Sequence, residues 1–341
     1  MFYDVKDTKM SEKFTFRPAA MDDLHAAIAL FNACSMAQIG KAVIEETEFG
    51  TDWKMPYFDL ETDTRVVLDS GSKIVGYTAV WDRAPHVRIS AQVRVHPEYI
   101  DQRIGAYLGR WAEERALQAV SKAPPAARVV LEQNVYSTDA AAQESLLRQG
   151  YRLVRYYFGM AIDMDGPPPE PVLPEGITIR HFRRDEEARA LVHALRDAFE
   201  DHWGYVEQPF EEEYATWLTA MDEDPAFDET LWFVAIADGE IVGLTQCYDI
   251  CAEGPQVGAV EVLGVRRPWR RRGIALALLR RSFDELYRRG KTTVVLGVDA
   301  QSLTGALRLY EKAGMRVQYR IDRYEKELRP GEDMSTRELE V

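Results

Sequence analysis

Val260-Glu261-Val262-Leu263-Gly264-Val265-Arg266-Arg267-Pro268-Trp269-Arg270-Arg271-Arg272-Gly273-Ile274-Ala275-Leu276 is the stretch on which the reading of this chain turns. An apolar run with one carboxylate leads into a short basic loop. The loop passes through Gly273 into a helical pattern that runs from Leu276 to Tyr287. A strand that feeds successive backbone amides into a helix N-terminus makes an anion site. Those amides have no partner inside the helix, and the helix dipole adds positive character there. Gly273 and Ala275 lack bulk, so a pyrophosphate can reach the main chain. Arg270, Arg271 and Arg272 supply the charge that phosphate oxygens need. Arginine clusters are also ordinary solvated surface; the order strand, Arg-x-x-Gly-x-Ala, helix makes this one a phosphate motif. No Gly-Lys-Ser/Thr follows this loop and no Gly-x-Gly-x-x-Gly is present, so it is neither a Walker loop nor the dinucleotide fingerprint.

A chain of 341 residues fits two domains, and 46% apolar content is ample for ordinary cores. The net charge of −14 argues against nonspecific nucleic-acid binding, which needs a basic face. Cys34, Cys247 and Cys251 have neither metal nor redox spacing and read as small fillers in a reducing compartment. The first seven residues contain no apolar signal core, and no apolar run reaches the ~18 residues of a membrane span. These features predict a cytoplasmic protein without membrane or nucleic-acid partners, a monomer or homodimer, with no bound metal.

Asp165 to Gly176 is a proline-rich linker, because proline density opposes both helix and ladder pairing. The sequences on either side repeat each other. Ile74-Val75-Gly76-Tyr77-Thr78 matches Ile241-Val242-Gly243-Leu244-Thr245, and Val95 to Gly105 matches Val265 to Ala275. Leu147-Arg148-Gln149-Gly150-Tyr151 matches Glu311-Lys312-Ala313-Gly314-Met315. The offsets drift between 163 and 170 residues, as two copies of one fold with different loops would give. In the second copy the pattern predicts a helix over 185–200, strands over 231–238, 241–250, 258–265 and 294–298, and a helix over 274–289.

The Arg270, Gly273, Ala275 pattern resembles motif A of the GCN5-related N-acetyltransferase (GNAT) family, Gln/Arg-x-x-Gly-x-Gly/Ala. Downstream, Ser302, Ala306, Tyr310-Glu311, Gly314 and Met315 resemble the family's Asn-x-x-x-Ala-x-x-x-Tyr-Glu-x-x-Gly-Phe block, with Ser302 for Asn and Met315 for Phe. The tandem layout and the run Ala198-Phe199-Glu200-Asp201-His202-Trp203-Gly204 resemble the mycothiol synthase branch. The resemblance implies an α/β (α+β) chain of two tandem GNAT (acyl-CoA N-acyltransferase) domains, each a mixed, mostly antiparallel sheet flanked by helices. The expected boundaries are 1–164 for a degenerate first domain, 165–176 for the linker, 177–330 for the catalytic domain and 331–341 for a tail. In the first copy Ile100 stands opposite Arg270, Arg103 opposite Gly273, Ala91 opposite Glu261 and Leu146 opposite Tyr310. The Arg103 side chain is expected to fill the pyrophosphate space, with Asp101 adding a like charge. The first copy is therefore expected to be inactive as a transferase.

The implied reaction is acetyl transfer from acetyl-coenzyme A to a small-molecule amine. An alkyl amine with an ordinary pKa near ~10 must lose a proton before it attacks, and the thiolate leaving group is helped by one. The resemblance makes Glu261 the candidate base and Tyr310 the candidate acid. Residue by residue, Glu261 also reads as a carboxylate on an exposed strand edge, and Tyr310 as a core aromatic. Main-chain groups of Leu263, Gly264, Val265, Arg271, Arg272, Gly273, Ile274 and Ala275, with Arg270 and Ser302, are the expected coenzyme contacts. His202, Trp203 and Tyr205 are the candidate acceptor-binding residues. Glu207, Glu211, Glu212, Glu213, Asp222, Glu223, Asp224, Asp228 and Glu229 form either an acidic mouth for a cationic amine or a solvated helix face. An acidic mouth would favour an aminoglycoside or polyamine acceptor. A regulatory module that binds acetyl-coenzyme A without turnover is the reading from a different class.

Overall fold

The computed structural model describes residues 12–302 and 304–337. The N-terminal heptapeptide, Leu303 and the last four residues of the tail lie outside the described residues. The chain divides into two compact units, 1–154 with 323–333, and 155–322 with 334–341.

The first unit contains β1 (Thr15–Arg17), α1 (Leu24–Ile39), α2 (Glu46–Asp52), α3 (Leu60–Asp63), β2 (Thr64–Leu68), β3 (Ile74–Trp81), β4 (Arg88–Val95), α4 (Ile104–Ala119), β5 (Val129–Tyr136) and α5 (Ala140–Arg148). β6 (Arg152–Asp163) passes into the second unit, which continues with β7 (Thr178–His181), α6 (Arg184–Phe199), α7 (Phe210–Glu223), β8 (Trp232–Ala237), β9 (Glu240–Tyr248), β10 (Val257–Val265), α8 (Ile274–Arg288), β11 (Thr293–Asp299), α9 (Ala306–Lys312) and β12 (Arg316–Arg329). In the first unit β1 to β4 pair antiparallel in sequence order, and β4 then pairs parallel with β5. In the second unit β7 to β10 repeat the arrangement, and β10 pairs parallel with β11. The strand on the far side of β11 is β6, from the other half of the sequence. The second half of β12 belongs to the first unit in turn.

The repeated glycine of the Ile-Val-Gly motif has one explanation in both copies. Gly76 pairs with Val95 and Gly243 with Val265, the last residue of the strand before the loop. A Cβ on Gly76 would come within 2.6 Å of Ile104, and one on Gly243 within 3.1 Å of the Gly264 carbonyl. Each helix that follows the loop thus lies close on its strand because a side chain is missing there. α8 presents Ile274, Leu278, Leu279, Phe283 and Leu286 to the sheet at helical spacing.

In the first unit the returning segment 323–333 is fastened by arginines. Arg329 donates to the carbonyls of Ala127 (3.0 Å) and Val120 (3.1 Å), and the Glu332 amide to that of Ala126 (2.8 Å). Arg128, itself mostly buried, pairs with Glu325, with Glu327 at 2.7 Å and with Asp333 at 3.4 Å. Glu325 is 1% exposed, so its carboxylate depends on this guanidinium and on Arg152 at 3.4 Å. Removing one partner of such a pair strands a buried charge, and Arg128→Ala is expected to cost about 3 kcal/mol. A urea titration following tryptophan fluorescence checks this, and the double variant Arg128→Ala/Glu325→Leu should regain part of the loss.

Candidate functional site

β10 and β11 pair only at Val257–Ala259 with Thr293–Val295. Beyond that the strands run on to Val265 and Asp299 without a rung between them, while β10 stays paired with β9 and β11 with β6. The parting leaves every second peptide of β10 facing a cleft with no strand to satisfy it. Leu263, Gly264 and Val265 lie on this stretch. Gly264 is required by packing on one face, since a Cβ there would sit 3.0 Å from Ala198 and 2.9 Å from Phe199 at the end of α6.

Glu261 falls on a register shift. Val260 pairs with Cys247 and Val262 with Gln246, so Glu261 is the extra residue of a β-bulge. Two residues of β10 therefore oppose one of β9, which re-aims the Glu261 side chain. Its carboxyl is reached by solvent but sits within a wall of protein atoms. Burial and then the like charge of Glu253 raise its pKa above the usual carboxylate range. Across the cleft, α9 follows β11 and carries Tyr310, 7% exposed. Burial pushes the Tyr310 hydroxyl up to about 12, and it has no hydrogen-bond partner among the described residues.

At the head of the cleft the basic loop ends in two left-handed residues, Arg271 at φ 62 and Gly273 at φ 89. Gly273 caps α8 without a side-chain hydrogen bond, and no acidic residue occupies the first turn. Among the described residues no protein acceptor meets the amides of Arg271 to Leu276. A Cβ at Gly273 would meet only Pro174, at 3.9 Å. This open set of donors fits a diphosphate. Arg272 lies over the Trp269 ring at 4.5 Å.

Arg270 is placed differently from its neighbours. Its guanidinium pairs with Asp201 and donates to the carbonyls of Ala198 (3.0 Å) and Val265 (3.0 Å). It clamps the loop to the end of α6 rather than standing open to a ligand. Burial is the largest influence on the Asp201 carboxyl and raises it, but the Arg270 hydrogen bond and charge, with smaller contributions from His202 and a backbone amide, together outweigh it and the net shift is downward. Ser302 turns its hydroxyl toward Thr304, 2.9 Å away, in the loop before α9.

His202, Trp203 and Tyr205 lie on the segment after α6. Burial, and secondarily Arg270, lower the His202 pKa against the opposing pull of Asp201 and Asp299, so the imidazole is neutral at pH 7. The Trp203 ring is faced by Arg155 at 5.1 Å and by Arg337 at 4.6 Å. Arg155 also holds Asp299 at 2.7 Å, at the end of β11. The tail returns here as well: the Gly204 amide donates to Thr336 (2.7 Å) and the Thr336 amide to Tyr205 (2.9 Å). The acidic residues of this region are largely matched. Glu211 pairs with Arg189, Asp222 with Arg184, Glu207 with Arg196 at 3.1 Å and Asp228 with Arg289 at 2.6 Å. Phe210 stacks on His193, and Arg189 lies over both Phe210 and Tyr214. The acids and aromatics thus knit α6 to α7, which favours the helix-face reading over an acidic mouth.

The first copy corrects two expectations. Arg103 adopts the same left-handed cap as Gly273, at φ 62, yet it borders an open cavity of about 440 Å³ together with Val95, Gly105, Gln133 and Leu146. A side chain at the cap position lines that space and does not fill it. The second correction concerns register. β3 and β4 pair without a shift, so Val80 with Ala91 corresponds to Cys247 with Val260. The first copy lacks the bulged residue altogether, and no position in it corresponds to Glu261. The one-residue change in offset, from 169 at Ala91 to 170 at Val95, was the only trace of this in the sequence.

The model of the acetyltransferase (GNAT) family matches residues 188–315. The mycothiol acetyltransferase of Streptomyces scabiei (strain 87.22) is 32% identical over 263 residues, 75% of this chain and 77% of that protein. A GCN5-related N-acetyltransferase from Sphaerobacter thermophilus superposes with a TM-score of 0.76 at 35% identity, over 94% of this chain and 97% of that one. A tandem GNAT protein from the clavulanic acid biosynthesis pathway shares the fold, with a TM-score of 0.70 at 17% identity over 94% and 100% of the two chains. The chain belongs to the GNAT family and is an acyltransferase. No helix among the described residues is long and apolar enough to cross a membrane, and none of them form a cluster suited to a metal ion.

Gly273→Arg installs the residue that the first copy carries at the same left-handed cap. A side chain at positive φ costs about 1 kcal/mol, so the melting temperature should fall only slightly. As in the first copy, the side chain would line the space rather than fill it, so affinity for coenzyme A is expected to stay within about threefold. Isothermal titration calorimetry reads the second quantity, thermal denaturation the first.

Proposed function

We propose that the second copy transfers acetyl from acetyl-coenzyme A to a primary amine of a small molecule, of the kind that mycothiol acetyltransferases use. The reading is supported by one observation: the β-bulge falls at Glu261, on the stretch of β10 that has parted from β11. The main chain of Leu263 to Val265 and of Arg271 to Ala275 holds the coenzyme. Glu261, through a water, takes the proton from the amine, which frees the nitrogen lone pair to attack the thioester carbonyl. A carboxylate of raised pKa is a stronger base than an ordinary one, which suits that task. As the carbon–sulfur bond breaks, Tyr310 gives its proton to the departing thiolate, which ends as a free thiol. Donors on the cleft side of β10 oppose the charge that develops on the carbonyl oxygen. The neutral His202 and the Trp203 and Tyr205 side chains border the acceptor. The first copy, without bulge, carboxylate or phenol, is a non-catalytic partner.

The polyamine reading loses support, because Glu207, Glu211, Glu213, Asp222 and Asp228, five of the nine acids that would attract a polycation, are tied to arginines. The sensor reading is met by the same assay that tests the transferase.

Release of free thiol from acetyl-coenzyme A should require an added amine. Tyr310→Phe should lower kcat by about 100-fold while coenzyme affinity stays within about twofold. For Glu261→Gln the sign of the pH effect is fixed by the raised pKa. In the wild type kcat/KM should fall as pH drops through that pKa, since the base becomes protonated; the variant should show a low rate without this limb. The folded state favours the protonated carboxyl. The stability this contributes is complete below the ordinary carboxylate range and is lost as pH rises through the raised pKa. Glu261→Gln should therefore melt higher than the wild type at pH 8, and the gap should close near pH 4. Binding of acetyl-coenzyme A with no turnover on any amine would establish the sensor instead.

A further inference from the structure

The turn that carries His202 and Trp203 is fastened from far along the chain. Residues 200–205 lie between α6 and α7, outside any helix or strand, and pass through Gly204 at φ 81. Local main-chain bonds run from the His202 amide to the Phe199 carbonyl (2.9 Å) and from the Tyr205 amide to the His202 carbonyl (3.0 Å). Three further main-chain groups of the turn are met by one residue, Thr336. Its carbonyl accepts from the Gly204 amide (2.7 Å), its amide donates to the Tyr205 carbonyl (2.9 Å), and its hydroxyl donates to the Glu200 carbonyl (3.0 Å). The next residue, Arg337, lies over the Trp203 ring at 4.6 Å. Main-chain groups that leave water need partners, so a turn without a ladder of its own takes its shape from whatever supplies them.

On its other side the turn stands against the cleft. The His202 ring meets Phe199 edge to face, with centroids 4.5 Å apart, and Phe199 is the residue that a Cβ on Gly264 of β10 would touch. A shift of the turn is therefore a shift of His202 and Trp203 relative to β10. The sister copy meets the same need from within. After α1 the Asn32 side chain accepts from the Val43 and Ile44 amides (3.0 Å each) and donates to the Ile44 carbonyl (3.0 Å). One side chain of the first helix thus fastens the segment that follows it. α6 contains no asparagine, and in the second copy the task falls to Thr336.

We propose that Thr336 is a positioning residue: by fastening the turn it sets His202 and Trp203 in the form that meets the acceptor amine. This rests on the transferase reading, in which that turn borders the acceptor. No bond is made or broken at Thr336, and the open amides at the start of α8 are shaped by a different loop. Its loss therefore acts on KM for the amine and leaves kcat and coenzyme binding nearly as they were. A loosened turn has to be ordered when the amine binds, and that ordering is subtracted from affinity.

Three full-length variants test this. Thr336→Pro has no amide to donate, Thr336→Val keeps the shape without the hydroxyl, and Thr336→Ser keeps all three groups. Amide hydrogen exchange is read on the peptide spanning 200–206. Acetylation of glucosamine and of cysteine amide, two primary amines of different shape, is followed by the mass of the product. Exchange across 200–206 should be about tenfold faster in Thr336→Pro, and less so in Thr336→Val, with other peptides unchanged. KM for the amine that reacts should rise about tenfold in Thr336→Pro, with kcat and the Kd for coenzyme A within about twofold. Thr336→Ser should behave as the wild type. Unchanged exchange, or faster exchange with unchanged KM, overturns the proposal. So does a joint loss of amine KM, coenzyme affinity and melting temperature, which marks a tie that only stabilises the fold. If exchange quickens but the wild type acetylates neither amine, calorimetry with the same amines in the presence of coenzyme A decides. A Kd weakened in Thr336→Pro then supports the role of Thr336 and counts against the transferase reading alone; an unchanged Kd, or no binding, overturns the proposal.

Discussion

The site depends on one failure of pairing. Parallel β10 and β11 hold together for three rungs and then part, and peptide groups that a sheet would consume are left facing outward. Buried main-chain groups are almost always satisfied, so a cleft of this kind needs a ligand with polar groups at strand spacing. The other parts of the site follow from that gap. The extra residue of the bulge is tolerated because β10 is held by β9 alone along this stretch. The loop after β10 turns through two left-handed residues and brings a helix end to the mouth of the same cleft. The Arg270 clamp keeps that loop on the end of α6, where the acceptor-side segment begins.

The two copies separate what builds the frame from what does chemistry. Both have the glycine that lets a helix approach, the parallel pair that opens and the left-handed cap before the helix. These are requirements of the fold. The bulged carboxylate and the buried phenol occur in one copy only. The first copy was thus not closed off, since its cavity is open; it lacks the carboxylate and the phenol that the second copy carries. One inserted residue in a strand separates the two, because strand periodicity turns a single insertion into a change of face.

What the sequence made legible follows from the range of its signals. Helix and strand periods, the hairpin turn before β9 and the strand–loop–helix order are local, and they placed the second copy's elements to within a few residues. The repeat gave the tandem layout. Long-range ion pairs leave no local pattern, so Arg270 looked like one more phosphate cation until Asp201, far from it in sequence, was seen beside it. The bulge was hidden for another reason. Val260-Glu261-Val262-Leu263 is mostly apolar on both faces, so no alternation existed to be broken. The crossing of β6 and β12 between units was equally silent, because it changes no residue pattern within either strand.

Charge reconciles an acidic protein with an anionic coenzyme. A net charge of −14 repels a diphosphate at a distance. At physiological ionic strength, however, fields fade over about 8 Å, so the nearest groups decide. Arg270 is neutralised by Asp201, and Arg271 and Arg272 make no ion pair among the described residues. The open amides at the start of α8 add partial charge that needs no counterion and cannot move away. The acids of α6 and α7 are meanwhile held by their own arginines, which limits their reach toward the cleft. A diphosphate at the start of α8 would therefore meet a fixed backbone array supported by two arginines, and the overall charge balance would bear little on it.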